Sequence, residues 1–415
     1  MNVLILLVIM NFATSDSFSF YNASLLSRSA ALIKTQDPRV LPAYNTLLLS
    51  ASAALNYGPY SVTQKYNASL IPFICNPQDY VSVGYYLWPC NLTPPGQVPN
   101  TNTSGCNETS GLPWVYWDGI PSPYVDSFDL RIMQDTINNI QTLSFAYFFS
   151  KNETFAERAT LLTRLWFTDT KLGMLPNLDH AQFSPGVNTG SGGGIIDIDE
   201  YFATGFLDTL IMLRSSIAWT SNDEKTMQNW MSAYLNWLIT SPLSNHERAM
   251  VNNHRAFFDA QILQLAAYTS NASVAINQVP LEYAVLDEQI AADGMLFEEV
   301  IRTNSQHYVS FCLHAYMGLA FGASYTTQTD LWNYKTRVNA SSILTAITFI
   351  MPFSNGSQIW PFENLDAPTW SDFFDVYQIA ATVFPSKAQE FLIAAESTIN
   401  ATAIDDVKRL LWFVE

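Results

Sequence analysis

Two short stretches of the sequence carry side chains suited to moving protons. The first is Asn252-Asn253-His254, where a loop rich in Ser and Pro gives way to a predicted helix. The imidazole of His254 can take a proton near neutral pH, and Glu247 lies close enough in sequence to orient the ring. Asn253 adds a neutral hydrogen-bond donor. This stretch predicts a general base with a supporting carboxylate.

The second stretch, from Arg302 to Tyr308, begins 302 − 254 = 48 residues after His254 and leads into another predicted helix. The guanidinium of Arg302 can bind a carboxylate through two parallel hydrogen bonds. The phenol of Tyr308 can give a proton to a departing oxygen. On spacing alone, the simpler interpretation is that Tyr308 is a core aromatic and His307 a solvated side chain. If the two stretches meet in space, they form one acid and base site.

A glycine-rich segment, residues 173–198, precedes both stretches in the sequence and interrupts the helical pattern. Glycines at 190 and 192–194 allow the backbone to approach a ligand closely. A phosphate-binding loop is disfavoured because no Gly-Lys-Ser ending and no leading strand are present. We expect instead a sugar-contacting loop that uses Asn177, His180 and Gln182.

Paired carboxylates for glycoside hydrolysis are the main rival chemistry. Adjacent residues such as Glu298 and Glu299 diverge on a helix and cannot flank one bond. Asp199 is explained more simply as an N-cap of the helix that contains Glu200, although Asp197 with Asp199 stays open. A serine triad lacks its Gly-x-Ser-x-Gly motif, and the sequence has no zinc-binding spacing of Cys and His. We therefore expect no metal and no cofactor.

The elements that must position these side chains are predicted to be helices. Apolar residues recur at i, i+3, i+4 and i+7, and strong alternating strand patterns are absent. Short connections between the helices predict antiparallel helical hairpins that close into an (α/α) toroid or incomplete barrel, although no sequence repeat shows the closure. The predicted helices cover residues 21–33, 41–55, 129–150, 153–167, 199–215, 224–240, 255–269, 281–292, 305–324, 326–353, 375–384 and 387–412.

Residues 57–124 are predicted to form a long loop because Pro, Gly, Asn and Thr are dense there. Loops of this length in a compact domain are usually functional. Its many aromatic residues predict a lid or groove wall with Tyr86, Trp88 and Trp117 against the ligand, and packing of the loop onto the body is the alternative.

Three of the four cysteines, Cys75, Cys90 and Cys106, lie in or beside this loop, and we expect a disulfide between Cys75 and Cys90. Cys312 falls in an apolar helical pattern and is predicted to be a buried free thiol.

The first residues read as a secretory signal peptide, residues 1–17, ahead of a single domain, 18–415. No later apolar run approaches the roughly 20 residues of a membrane span. The chain has many Asn-x-Ser/Thr sequons, which fit an extracellular glycoprotein. They are at Asn22, Asn67, Asn91, Asn102, Asn107, Asn152, Asn271, Asn339, Asn355 and Asn400.

The net charge of −17 argues against nucleic acid and anionic membranes as partners. This charge would also repel a polyanionic substrate, unless the few basic residues are concentrated at the binding groove. We expect a monomer, although the sequence does not determine the oligomeric state.

Taken together, these residues resemble the alginate lyase superfamily, helical-toroid polysaccharide lyases that act on polyuronates. The resembling segments occur in the family's order across residues 75–320. They are Asp79-Tyr80-Val81-Ser82 with Trp88-Pro89, Pro176 to Gln182 with Pro185-Gly186 and Gly194 to Asp197, Asn252-Asn253-His254, and Arg302 to Tyr308.

The resemblance implies that Asn253 and Arg302 bind and neutralise a uronate carboxylate. Tyr308 would be the acid to the leaving oxygen, either His254 or Tyr308 the base according to the epimer, and Glu247 a supporting carboxylate. Ser191 stands where relatives often carry an arginine, so mannuronan, glucuronan and mixed alginate all stay open as substrates. The alternatives are a secreted glycan-binding protein without turnover on the same scaffold, and a glycoside hydrolase.

Overall fold

A computed structural model describes residues 17–65, 76–98, 105–187, 194, 197–399 and 407–414. Predictions that lie outside these residues concern the signal peptide up to residue 16, Cys75, the sequons at Asn67, Asn102 and Asn400, Ser191 and the glycines at 190, 192 and 193. The described residues confirm an all-α fold. Its helices are α1 (Ala23–Lys34), α2 (Leu41–Ala54), α3 (Asp129–Ser150), α4 (Glu153–Thr163), α5 (Asp199–Ala203), α6 (Phe206–Leu213), α7 (Ser221–Thr240), α8 (Pro242–Arg248), α9 (Asn253–Tyr268), α10 (Ala272–Gln289), α11 (Phe297–Val300), α12 (Ser305–Thr327), α13 (Ile343–Ser354), α14 (Phe374–Val383), α15 (Ala388–Thr398) and α16 (Lys408–Leu411).

The helices pack side by side as a ring. Along the chain, α3 packs against α4 and α6, and α9 packs against α5, α7, α10 and α12. The ring continues through α13, α14 and α15, and the last helix, α16, returns to contact α1 and α2. This contact between the two ends of the chain is what the sequence pattern could not show, and it confirms the predicted helical toroid.

Helices α9 and α12 form the inner pair of this ring, and almost every residue of α9 after Arg255 is buried. Small residues let the helices approach closely: a Cβ on Gly318 of α12 would lie 2.6 Å from the carbonyl oxygen of Ala203 in α5. Both inner helices begin at the same end of the ring. The predicted catalytic stretches, which stand at those two helix starts, are thereby brought together.

Within the described residues, four short strands fasten the aromatic-rich loop to this body. They are β1 (Val81–Val83), β2 (Leu87–Pro89), β3 (Trp114–Tyr116) and β4 (His180–Phe183). β1 pairs in parallel with β4, which joins the loop to the segment before the glycines. β2 pairs antiparallel with β3, so the loop folds back on itself as a ribbon.

The prediction of one helix over residues 326–353 was wrong. Helix α12 ends at Thr327, because Gln328 has a left-handed backbone with φ of 59°, and α13 begins only after the Ser342 side chain caps it. The predicted helix 199–215 is likewise divided, because Gly205 has φ of 106°. In both cases apolar residues recur at helical spacing on each side of the break, so the sequence pattern predicts one continuous helix.

The predicted disulfide was also wrong, because Cys90 is bonded to Cys106, with their Cα atoms 5.7 Å apart. Cys90 directly follows β2, and its backbone N–H donates to the carbonyl of Gly111, which leads into β3. The ribbon therefore places Cys106 beside Cys90. The fourth cysteine, Cys312, is buried and free, as predicted.

Candidate active site

The two predicted stretches meet at one cavity of about 330 Å³. Asn253 and His254 enter it from the start of α9, and Arg302 and Tyr308 enter it from the segment around the start of α12. The aromatic loop contributes a further wall. The cavity is lined by Gly84, Tyr85, Tyr86, Tyr116, Leu130, Gln134, Gln182, Asp197, Glu200, Asn253, His254, Arg302, His307, Tyr308 and Phe311.

His254 is held at the start of α9 by its own backbone and by a buried acid. The side chain of Asn252 caps the helix by accepting the N–H of His254 at 3.2 Å. The ring Nδ1 lies 2.9 Å from Oε2 of Glu247, a carboxylate with 1% exposure. A carboxylate accepts, so Nδ1 carries the hydrogen of the neutral ring and Nε2 keeps a lone pair for a substrate proton.

Gly194 of the glycine-rich segment lies next to the carboxylate that holds this histidine. A Cβ at this position would lie 2.5 Å from Oε1 of Gln182 and 3.4 Å from Oε1 of Glu247. Only a residue without a side chain lets the backbone lie against both groups. Gly194 therefore lies against Glu247 on one side.

Asn253 is fixed by Glu299, a partner that the sequence suggested only for a hydrolase. Its backbone N–H donates to Oε1 of Glu299 at 2.6 Å, and its side-chain amide donates to Oε2 at 2.7 Å. The amide keeps one further hydrogen for a ligand. Burial raises the pKa of Glu299 to about 7, although the hydrogen bonds from Asn253 and the charges of Arg302 and His254 oppose this.

Arg302 is held by Asp118, which sequence reasoning missed altogether. The guanidinium donates from Nη2 to Oδ1 of Asp118 at 2.5 Å and from Nε to both carboxylate oxygens at 3.2 Å. Thr303 adds its backbone N–H and its hydroxyl, and Tyr116 adds a phenol at 2.8 Å. Burial alone would raise the pKa of Asp118, but these hydrogen bonds outweigh it and hold that pKa well below its usual range.

Tyr308 lies directly beneath this ion pair. The guanidinium carbon of Arg302 is 3.7 Å from the centre of the phenol ring, a close cation-π contact. The hydroxyls of Tyr308 and Tyr86 are 2.6 Å apart. Burial, and next the neighbouring Tyr86, raise the pKa of Tyr308 well above its ordinary value, while Arg302 opposes the shift. The phenol is therefore protonated at neutral pH.

Arg302 lines the cavity and also has partners within the protein. Its Nε and Nη2 donate to Asp118, and its flat face covers Tyr308. The signal for Asp118 was weak, since it is one acid in an aromatic run of the loop. Asp118 and Arg302 are 184 residues apart in the sequence, so no local sequence pattern predicts their contact.

The acids proposed for a hydrolase do not form an exposed pair. Asp197 is buried and accepts hydrogen bonds from Tyr80, Ser82 and, at 2.7 Å, the amide of Gln182. Asp199 is also buried, with 1% exposure, while Glu200 beside it is exposed to the cavity. Asp199 is the first residue of α5, and Ile198 occupies the N-cap position.

Gln182 and Tyr86 line the cavity, but four other proposed sugar contacts lie outside its lining. Trp88 is buried with 7% exposure, and its indole N–H donates to the carbonyl of Ile120. Trp117 is half-buried, and its backbone N–H donates to the carbonyl of Tyr86. The side chain of Asn177 accepts the N–H of Asp179 in a turn, and His180 on β4 lies 3.5 Å from Asp79. Strand pairing and turns account for these positions.

Comparison with known families decides the class of enzyme. The profile described as alginate lyase matches residues 50–360, well over half of the chain. The chain belongs to the alginate lyase family. It is therefore a polysaccharide lyase, and the predicted resemblance is confirmed. Comparison with the curated proteins gives no match.

Solved structures of alginate lyases are similar to the lyase over nearly its whole length. One is the crystal structure of an alginate lyase from Bacteroides ovatus, with 27% identity and a TM-score of 0.85 over 96% of this chain and 100% of that one. Another is an apo form of a variant of alginate lyase A1-III, an enzyme of Sphingomonas species A1. It has 14% identity and a TM-score of 0.52 over 89% of this chain and 94% of that one, which shows a shared fold.

Proposed function

We propose that this lyase is a secreted enzyme that cleaves a polyuronate, alginate or a related polymer, by β-elimination. The observation that carries the proposal is the cavity in which His254, Tyr308, Asn253 and Arg302 converge in a chain of the alginate lyase family. The two similar structures are of alginate lyases, and they support an acidic polysaccharide as the substrate.

The first step is recognition of the uronate carboxylate. The free amide hydrogen of Asn253 donates to it, and the positive charge of Arg302 lies across the same cavity. Because the C5 proton is removed next to this carboxylate, the developing negative charge must be held by donors already in place. The hydrogen bonds of Asn253 to Glu299 and of Arg302 to Asp118 keep both groups from reorganising.

His254 is the base in this proposal. Its Nε2 takes the C5 proton, and the buried Glu247 on Nδ1 stabilises the imidazolium that forms. The electron pair left on C5 forms a double bond to C4, and the bond from C4 to the bridging oxygen breaks.

Tyr308 is the acid in this proposal. Its protonated state supports the role of acid to the leaving oxygen over that of base at C5. A phenol whose pKa is raised holds its proton at neutral pH and can deliver it to the leaving oxygen. Tyr308 then regains a proton from solvent through the hydroxyl of Tyr86, which contacts its own, and His254 releases the C5 proton to solvent. The products are a new chain end and an unsaturated uronate.

A panel of polyuronates tests the proposal, with polymannuronate, polyguluronate, mixed alginate and glucuronan each incubated with the purified protein. We expect ultraviolet absorbance from unsaturated uronates on at least one polymer. New reducing ends without absorbance would instead indicate a hydrolase. Binding without either signal would indicate a glycan-binding protein.

Secretion has separate support and a separate test. In the part of the chain that the structure describes, no helix is long and apolar enough to span a membrane. The disulfide fits an oxidising compartment. Of the described sequons, Asn22, Asn91, Asn107, Asn152 and Asn355 are exposed, while Asn271 and Asn339 are half-buried.

We expect glycans on Asn22 and Asn152 but none on Asn339. The first two cap helices through Oδ1, which leaves the side-chain nitrogen in solvent. The nitrogen of Asn339 donates to the carbonyl of Ile290 at 3.0 Å. Mass spectrometry of glycopeptides from a eukaryotic secretion host measures occupancy, and exported protein with every sequon unmodified would contradict the expectation.

Asp118→Asn is expected to lower kcat about 10-fold to 100-fold, with a smaller change in KM. The substitution keeps the shape of the side chain but removes the charge that holds Arg302 over Tyr308. Displacement of a catalytic group by about 1 Å can cost 10²-fold. Steady-state kinetics on a responsive polymer measures both constants.

The matched control is Asp126→Asn. Asp126 pairs with Arg131 at 3.2 Å on the surface, where both side chains are more than half exposed, and such pairs contribute little. Equal effects of the two substitutions would show that Asp118 has no special role at the site.

Glu299 is expected to make substrate binding pH-dependent. Its pKa of about 7 lies above the ordinary value of 4.5, so the folded protein keeps this carboxyl neutral in weak acid and ionises it as pH rises through 7. The new negative charge contacts Asn253 and repels a uronate bound there, so KM should rise above pH 7. In Glu299→Gln this rise should disappear, and a rise that persists would assign it to another group.

A further inference from the structure

The peptide group between Asn252 and Asn253 is held at both edges by side chains from other helices. Its N–H donates to Glu299 of α11 at 2.6 Å. Its carbonyl oxygen accepts the side-chain amide of Gln289, the last residue of α10, at 3.0 Å. A peptide group is planar, so hydrogen bonds at both edges fix the orientation of the whole plane. This peptide directly precedes the side chains of Asn253 and His254, which carry proposed roles.

The carbonyl oxygen of Asn252 is also the point at which helix α9 starts. It accepts the backbone N–H of Arg255 at 3.1 Å and that of Ala256 at 3.4 Å, the first hydrogen bonds of the helix. The amide of Gln289 adds a third donor to the same oxygen. The orientation of this first turn determines where the imidazole of His254 stands in the cavity.

Gln289 is held in one orientation by α12. The phenol of Tyr316 donates to Oε1 of Gln289 at 2.8 Å, and the thiol of Cys312 lies 3.9 Å from the same oxygen. Burial, and next the neighbouring Cys312, raise the pKa of Tyr316 well above its ordinary value, so the phenol keeps its proton. Because Oε1 accepts from Tyr316, the amide nitrogen of Gln289 faces the carbonyl of Asn252.

These contacts connect the helix of the proposed base to the helix of the proposed acid. Tyr308, Cys312 and Tyr316 are spaced at i, i+4 and i+8 in α12, which places them along one side of that helix. The contacts of Gln289 therefore join the side of α12 that carries Tyr308 to the first turn of α9. Gln289 itself is 6% exposed and lies outside the cavity lining, so it acts on a substrate only through other residues.

We propose that Gln289 is a positioning residue for the elimination. By holding the carbonyl of Asn252, it fixes how Asn253 and His254 stand relative to the uronate and to Tyr308. The inference rests on the proposed function and concerns how the residues of that site are held in place. A merely structural role would contribute to stability and leave the chemical step unchanged.

Gln289→Leu keeps most of the side-chain volume but removes the donor to Asn252 and the acceptor for Tyr316. Misplacement of a catalytic group by about 1 Å can cost 10²-fold, and the bonds from Glu299 and from the Asn252 side chain remain, so we expect about a tenfold loss of kcat. Release of unsaturated uronates, measured well below the unfolding temperature, gives this value.

Gln78→Leu is the matched control. Gln78 is half-buried, and its amide likewise donates to a backbone carbonyl, that of Gly173 at 2.8 Å, outside the cavity lining. Its loss should lower the unfolding temperature without changing kcat. Equal losses of kcat in the two variants, or an unchanged kcat in Gln289→Leu, would refute the positioning role.

Gln289→Glu separates positioning from stability through its pH dependence. A neutral carboxyl offers an O–H for the carbonyl of Asn252 and an oxygen for Tyr316, as the amide does, whereas an ionised carboxylate has no donor. Burial places the pKa of the introduced group above the ordinary value of about 4.3. The ratio of variant to wild-type kcat should therefore be high in weak acid and fall as pH rises.

The corresponding ratio for Gln289→Leu should be the same at every pH, since leucine does not titrate. Taking ratios removes the pH dependence that the variants share with the wild type. A ratio for Gln289→Glu that does not fall with pH would refute the inference. Should Gln289→Leu fail to fold, Gln289→Glu, which keeps the size and shape of the side chain, decides the question.

Failure of the proposed function gives a different result. If the wild-type protein releases no unsaturated ends from any polymer, the lyase reaction fails, whatever Gln289 does. Crystal structures of the wild type and of Gln289→Leu then decide the inference alone. We expect the Asn252-Asn253 peptide to turn and the imidazole of His254 to move with it, and an unmoved peptide would refute the role of Gln289.

Discussion

Tyr308→Phe is expected to lower kcat by about 10²-fold to 10⁴-fold, the usual contribution of a positioned acid. The substitution removes only the hydroxyl that would protonate the leaving oxygen. The ring beneath Arg302 is kept, and the 6% exposure of Tyr308 leaves little room for rearrangement. Release of unsaturated uronates from a responsive polymer measures the loss, while thermal unfolding and oligomer binding should change little.

Tyr86→Phe is the matched control for this experiment. It removes the hydroxyl 2.6 Å from that of Tyr308 but leaves the proposed acid in place. We expect a much smaller loss, through slower return of the proton. If Tyr308→Phe kept more than a tenth of the wild-type rate, the acid would have to be another group.

His254→Ala is the second substitution expected to abolish most activity, again by about 10²-fold to 10⁴-fold in kcat. The imidazole is the proposed base, and 23% of its side chain is exposed, so the ring can reach the substrate. The same assay measures the loss. Added imidazole should restore part of the rate in His254→Ala and none in Tyr308→Phe, because it replaces only the missing base.

His246→Ala is the matched control, because His246 lies exposed on α8. Glu247→Gln should give an intermediate loss, since the amide oxygen can still accept from Nδ1 but carries no charge to stabilise the imidazolium. A full rate in His254→Ala would mean that the proton at C5 is removed by a different residue.

The residues with proposed catalytic roles lie at the starts of helices that are otherwise buried. Helix α9 carries both Asn253 and His254 in its first turn, and its remaining turns are buried on all sides. Substitutions deep in α9 or α12 would therefore reduce activity by unfolding the protein. The conservative changes above avoid this, because each keeps most of the side-chain volume or lies at a helix start.

The amino-acid sequence determined the helices and the two stretches that carry the chemistry. Apolar periodicity is a local property, and it predicted the bounds of α3 as the structure has them. The order of residues also placed His254 and Tyr308 at the starts of helices. The bounds of a helix and the residues at its start both depend on interactions between residues only a few positions apart.

Only the tertiary structure decided which groups hold these residues. Asp118 with Arg302, Glu299 with Asn253, and Cys90 with Cys106 are pairs set by how the loop ribbon and the ring of helices fold against each other. Helix breaks such as Gln328 depend on single backbone angles that an apolar pattern does not encode. The cavity itself exists because the aromatic-rich loop packs against the starts of α9 and α12. That contact joins residues far apart in the sequence, and no local pattern specifies it.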